Sequence, residues 1–90
     1  RLVVVGSGYI GLEFGCVFHG LGSEVDIVYR NELPLRGFDN DIRAALKEAL
    51  AVQGIRQHAP RHLARLERAG AGVAAVLDDG SRIEADAVLL

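Results

Sequence analysis

Residues 3–15 read "VVVGSGYIGLEFG", a β-branched run that breaks into a glycine-rich turn and continues with helical spacing. Gly6, Gly8 and Gly11 stand in the pattern G-x-G-x-x-G. Each position has a physical reason where such a turn joins a strand to a helix. The first glycine permits the tight exit from the strand, the second lets backbone approach a pyrophosphate, and the third packs helix on sheet. Phosphates held there meet the free N–H groups and the positive dipole end at the start of the helix. The turn predicts a dinucleotide site when a strand precedes it and a helix and second strand follow.

Working outward, those conditions are met. Leu2 to Val5 is a continuous apolar run, suited to a strand buried on both faces. Ile10, Phe14, Val17, Phe18 and Leu21 recur at helical intervals and predict one apolar face of a helix that Gly22 ends. Gly11 and Gly15 form a second stripe, without side chains, suited to close approach to the preceding strand. "EVDIVY", Glu24 to Tyr29, predicts a second strand, and a right-handed crossover makes the pair parallel. "DNDIRAALKEALAVQG" places Ile42, Ala45, Leu46, Ala49 and Leu50 on one face, with acidic or amide residues first and Gly54 last, and predicts a second helix.

Ile55 to His58 predicts a short third strand. Residues 62 to 84 change character: short segments are separated by "AGAG" and by Asp79-Gly80, a hairpin signal, and predict an antiparallel meander. Leu63 and Leu66 also suit a helical turn. Ala87 to Leu90 then returns to the parallel sheet. The expected fold is α/β, a Rossmann-like parallel sheet flanked by helices with an inserted antiparallel β-meander.

Ninety residues make one small domain, burying roughly 60 to 65% of the surface that its unfolded chain exposes. Hydrophobic residues are 50% of the chain and mean hydropathy is +0.22, which suits a covered parallel sheet or a module of something larger. Arg1 directly ahead of a strand, the absence of Met and a stop at Leu90 inside "AVLL" lead us to expect an excerpt of a longer protein. Net charge is −2 with both signs interspersed, so neither a nucleic-acid stripe nor a polybasic membrane patch is present. A single Cys forms no internal disulfide, and no apolar run has the length of a membrane span; the expected setting is reducing and cytoplasmic.

The end of the second strand decides which dinucleotide fits. Sites for NAD or FAD place Asp or Glu there to accept hydrogen bonds from ribose hydroxyls. Here Tyr29 stands at that position, followed by Arg30 and then Arg36. A ribose 2′-phosphate is repelled by an acid and is clamped by guanidinium groups through charge-assisted bonds. The pair predicts NADPH over NADH; Glu32 opposes that reading if it, rather than Tyr29, occupies the ribose position.

"GSGYIGLEFGCVFHGLGSEVDIVYRNELPLRGFD" resembles the NADPH-binding domain of the flavoprotein disulfide reductases, on the glutathione reductase side of that family, and the resemblance covers essentially the whole chain. It implies that residues 1–90 are the NAD(P)H-binding domain of a larger FAD-dependent reductase that carries hydride from NADPH to FAD and on to a small-molecule disulfide. It also implies a homodimer. By the same resemblance Arg30 and Arg36 match the positions that hold the 2′-phosphate, Tyr9 a gating tyrosine over the flavin, and Glu13 a carboxylate beside the nicotinamide. The candidate cofactor-binding set is Gly6, Gly8, Tyr9, Ile10, Gly11, Glu13, Arg30 and Arg36. One departure stands out: many NADPH-dependent members carry Ala at the third glycine, whereas Gly11 matches NAD-using relatives such as dihydrolipoamide dehydrogenase.

No catalytic or metal-ligating residue is expected in this segment, and the segment alone is expected to lack reductase activity. Cys16 lies inside the first helix without a second Cys and reads as a structural thiol. His19, His58 and His62 lack metal-ligand spacing, and Asp39 and Asp41 read as helix-start residues. An NADH-dependent module or a non-catalytic nucleotide-sensing domain are the alternatives, the latter calling for an acid at position 29 and no meander.

Overall fold

The computed structural model describes residues 1–90. Strand β1 (Leu2–Val5) leads into helix α1 (Tyr9–Gly20), strand β2 (Val25–Val28), helix α2 (Asn40–Val52) and strand β3 (Arg56–His58). Strands β4 (Leu63–Ala69), β5 (Gly72–Leu77) and β6 (Arg82–Ala85) follow, and β7 (Ala87–Leu89) closes the chain. The first sheet runs β3-β2-β1-β7 with every pair parallel, and the second is the antiparallel meander β4-β5-β6. The fold is therefore the expected α/β arrangement, and β4 is a strand rather than the helical turn that Leu63 and Leu66 also allowed.

Handedness explains the layering. The steps β1 to β2 to β3 move one way across the sheet, so right-handed crossovers put α1 and α2 on the same face. There Leu2, Val4, Val25, Ile27 and Tyr29 pack with Leu12, Leu50 and Ile55. The return from β3 to β7 passes β1 in the opposite direction, and that crossover lies on the other face. It is the meander, whose Ala75, Leu77, Ile83 and Ala85 cover Val3 and Val28. Helices thus flank one face only, and the meander takes the place of a helical layer on the second.

Helix α1 departs from its predicted orientation. Ile10, Phe14, Val17, Phe18 and Leu21 are exposed, Leu21 to 77%, while Leu12 and Gly15 are the buried positions. The reason is close approach. A Cβ on Gly15 would stand 3.6 to 3.8 Å from Ile27, Val25 and Val4, so the glycine side lies directly on β1 and β2 and the bulky stripe points away. Helix α2 starts as read, the Asp39 carboxylate accepting from the Asp41 N–H at 2.8 Å. Of its predicted apolar face, however, only Leu50 is buried and Leu46 packed against the core, while Ile42, Ala45 and Ala49 are exposed because the helix meets the sheet near its C-terminal end.

One charge lies inside this framework. Asp26 on β2 is completely buried on the meander side, where its carboxylate accepts from Arg56 (2.9 and 3.1 Å) and Arg1 (3.2 and 3.4 Å) and meets His58 Nε2 at 2.8 Å. Burial alone pushes this carboxyl up, but Arg56, His58 and Arg1 together prevail and hold it well below the ordinary carboxylate range. A depressed folded value means that the stabilisation is complete above the unfolded value of about 3.9 and drains away as pH falls toward the folded one. Asp26→Asn should therefore lower stability at neutral pH by about 2 kcal/mol or more, and the gap to wild type in urea midpoints should shrink as pH is lowered below about 4. A gap independent of pH would mean that Asp26 contributes shape rather than charge.

The meander has its own tight point. A Cβ on Gly72 would stand 2.3 Å from the Ala85 carbonyl oxygen, whereas one on Gly20 meets nothing within 4 Å. Gly72→Ala should cost about 1 to 3 kcal/mol by forcing β5 from β6. Gly20→Ala, at the end of α1, should be neutral or stabilising by up to about 1 kcal/mol in the same unfolding measurement.

Candidate functional site

Strand β1 has β2 on one side and β7 on the other, so chain direction across the sheet reverses beside it. Ligands of open parallel sheets bind at such a point, beyond the carboxyl ends of the strands. The glycine turn sits there. Gly6 has φ +109, a conformation for which glycine is suited, and its N–H donates to the Val28 carbonyl at 2.7 Å, tying the turn to the end of β2. Gly8 is the N-cap of α1 and offers no side-chain cap, and no acidic residue lies in the first turn. Cβ atoms on Gly6 and Gly8 would enter open space, so the room beside the turn is unfilled by the chain itself.

Two clefts flank the turn. The first, of about 340 Å³, is bordered by Gly6, Ser7 and Gly8 on one side, by Arg30, Asn31 and Arg36 on another, and by His62 and Leu63 from the meander. No carboxylate lines it. The second, of about 210 Å³, lies between β1, β7 and the start of α1, with Ile10, Gly11, Phe14 and Leu89 on its walls. Gly6, Gly8, Arg30 and Arg36 are thus brought together on one side, and Ile10 and Gly11 on the other. Tyr9 and Glu13 border neither cleft. Glu13 falls in the second turn of α1 and by hydrogen bonding and charge raises the Tyr9 phenol above its ordinary value.

The position after β2 is occupied in an unexpected way. Tyr29 is 3% exposed, and its hydroxyl donates to Gln57 Oε1 at 2.9 Å, turned toward β3 and α2. Burial raises that phenol above its ordinary value. Glu32 is exposed and does not border the cleft. With Tyr29 committed to the core and Glu32 outside, no acid opposes an anion at this end. Arg30 and Arg36 make no ion pair and no side-chain hydrogen bond, unlike Arg1, Arg43, Arg56, Arg61, Arg65 and Arg82.

What holds these arginines in place was not visible as a motif. Arg43 of α2 donates to two successive loop carbonyls, Leu33 at 2.9 Å and Pro34 at 2.7 Å, and Lys47 donates to the Glu32 carbonyl at 3.0 Å. The Leu35 N–H donates to the Ser7 carbonyl at 3.1 Å, which joins the loop to the glycine turn. Leu35 itself sits in the left-handed region, φ 54, which costs about 1 to 2 kcal/mol for a residue with a Cβ and persists only because its neighbours are fixed. A basic residue on α2 facing back to the loop was the only available signal, and helical spacing alone does not distinguish it from a solvated charge. Gly11 carries less information than its place in the turn suggested. A Cβ there would meet Val4 Cγ1 at 3.4 Å and the Gly6 carbonyl at 3.8 Å, an ordinary contact, so glycine or alanine fits.

Comparison with known proteins agrees with this geometry. The pyridine nucleotide-disulphide oxidoreductase family matches residues 1–90. A mercuric reductase from Bacillus cereus is 53% identical over 55 residues, 61% of this chain and 9% of that protein. A glutathione reductase from Burkholderia cepacia is 35% identical over 89 residues, 99% of this chain and 20% of that one. Among solved structures, a ferredoxin reductase from Rhodopseudomonas palustris superposes with a TM-score of 0.92 at 31% identity, covering 98% of this chain and 22% of that protein. The open sheet with its glycine turn defines a nucleotide-binding domain of flavoprotein reductases. The chain belongs to the pyridine nucleotide-disulphide oxidoreductase family, whose members use FAD and a pyridine nucleotide, and it spans about a fifth or less of these relatives.

The Arg43 clamp has a direct readout. Arg43→Ala removes both carbonyl contacts, and hydrogen exchange at the Leu35 amide should quicken by about 10-fold or more, while amides of β1 and β2 keep their protection. Unchanged exchange at Leu35 would show that the Ser7 contact suffices.

Proposed function

We propose that this domain is the NADPH-binding module of a flavoprotein disulfide reductase of the glutathione reductase kind. The observation that carries the reading is the pairing of Arg30 and Arg36, both without partners, on one carboxylate-free cleft beside the glycine turn. The residues present fit such a dinucleotide. Backbone N–H groups of the turn and the uncapped start of α1 receive the pyrophosphate, and Gly6 and Gly8 leave room for it. Arg30 and Arg36 take the 2′-phosphate, whose charge an acid at position 29 would repel. Ile10, Gly11 and Leu89 wall the second cleft, whose largely apolar lining suits the flat face of the nicotinamide ring.

When bound, the nicotinamide supplies a hydride for the flavin. This chain binds and orients; the disulfide is reduced outside it. Gly11 is the one feature favouring an NADH-dependent, dihydrolipoamide dehydrogenase-like module, and its Cβ environment accepts alanine equally, so it does not oppose the arginines.

In the full-length enzyme, Arg30→Ala or Arg36→Ala should raise KM for NADPH by about 10-fold or more while NADH use stays nearly unchanged. The double variant should lose most of the preference, and added salt should weaken NADPH binding more than NADH binding. Equal losses with both nucleotides, or a wild-type preference for NADH, would refute the NADPH assignment.

A further inference from the structure

A third basic side chain borders the arginine cleft, delivered by the meander and not by the glycine-turn unit. His62 precedes β4 and lines the cleft together with Arg30 and Arg36. Its backbone is held on both sides. The Arg61 N–H donates to the Tyr29 carbonyl at 2.9 Å, so this strip is stitched to the end of β2. The Asp78 N–H donates to the His62 carbonyl at 3.0 Å, and the His62 N–H donates to Asp78 Oδ1 at 3.3 Å. The second oxygen of the same carboxylate, Oδ2, lies 3.5 Å from His62 Nδ1.

That carboxylate lies on the Nδ1 side of the ring. A neutral imidazole protonated at Nδ1 leaves Nε2 a bare acceptor that repels a phosphate oxygen. Protonation converts Nε2 to a donor and adds a positive charge. His62 makes no other polar side-chain contact and its side chain is 51% exposed, so Nε2 is free for a ligand. The charged groups around it are few. Asp78 is the carboxylate beside the ring, and Arg30 and Arg36 line the same cleft. Neighbouring Arg61 is paired with Asp79 at 2.9 Å, and that carboxyl is held down to about 2 by the Ser81 hydroxyl and N–H and by Arg61, so the pair keeps its charges throughout the range in which imidazole titrates.

We propose that His62 is a specificity-determining residue that donates from Nε2 to the ribose 2′-phosphate, beside Arg30 and Arg36, and does so only when its ring is protonated. This rests on the NADPH reading above. The domain then prefers the phosphorylated nucleotide more strongly as pH falls from 8 toward 6. A ring stacked on the adenine would serve NADH and NADPH alike. The carboxylate-free cleft, its two unpartnered arginines and the imidazole beside Asp78 favour the phosphate role instead.

The test uses the full-length flavoenzyme and two probes of the adenosine end, 2′,5′-ADP and 5′-AMP, titrated by calorimetry at pH 6 and pH 8. His62→Gln should weaken 2′,5′-ADP binding by about 5-fold at pH 6 and by less than about 2-fold at pH 8, with 5′-AMP unaffected. Protonation of the 2′-phosphate itself is common to both proteins and cancels in the wild-type to variant ratio. His62→Arg, which carries its charge at both pH values, should bind 2′,5′-ADP well and make the affinity ratio to wild type larger at pH 8 than at pH 6. Equal weakening of both probes, or a His62→Gln effect independent of pH, overturns the proposal even if wild type still prefers 2′,5′-ADP. Should wild type bind 5′-AMP as tightly as 2′,5′-ADP, the NADPH reading fails, and the His62 assignment with it.

Discussion

Between helix α1 and strands β1 and β2 the helix presents Gly11 and Gly15, and a Cβ on either would already be in contact with Val4, Val25 or Ile27. That side of the helix has room for no more than a methyl group, which keeps the helix close on the sheet. With that distance fixed, the start of α1 falls beside the ends of β1 and β2, and the turn between them is drawn tight enough for Gly6 to donate to Val28. Free N–H groups of the helix start then face the clefts at the sheet edge. A larger residue at position 15 would lift the helix and move every one of these groups together.

The loop after β2 is the second constraint, and it depends on the first. It carries Arg30 and Arg36, and it is held through its carbonyls by Arg43 and Lys47 and through the Leu35 N–H by Ser7 of the glycine turn. Using basic side chains of α2 as backbone clamps leaves the two cleft arginines without intramolecular partners, so their charge is available to an anion. The left-handed Leu35 is tolerated within this frame, directly before Arg36.

On the opposite face, the meander closes the sheet and shapes the same cleft. Asp26 draws Arg1, Arg56 and His58 together on the meander side, joining β2, β3 and the residue that precedes β1 around one buried charge. The meander's first strand begins at the cleft wall, so a layer that serves as cover over most of its area also contributes His62 and Leu63 to the site.

Local patterns in the chain were enough to place each strand and helix of the parallel unit, the hairpin at Asp79-Gly80 and the two arginines after β2, because apolar period, glycine spacing and capping residues act over one or two turns of chain. They also identified the side-chain-free stripe at Gly11 and Gly15. They did not show that this stripe, rather than Ile10, Phe14, Val17, Phe18 and Leu21, faces the sheet, since both lie at helical spacing and only contact with β1 and β2 decides between them. The inward turn of Tyr29 toward Gln57, the grip of Arg43 on the loop and the arrival of His62 beside Arg30 and Arg36 were equally invisible. Each joins residues far apart in the chain, brought together by strand register and crossover direction, and no periodicity in one segment encodes what another segment will meet.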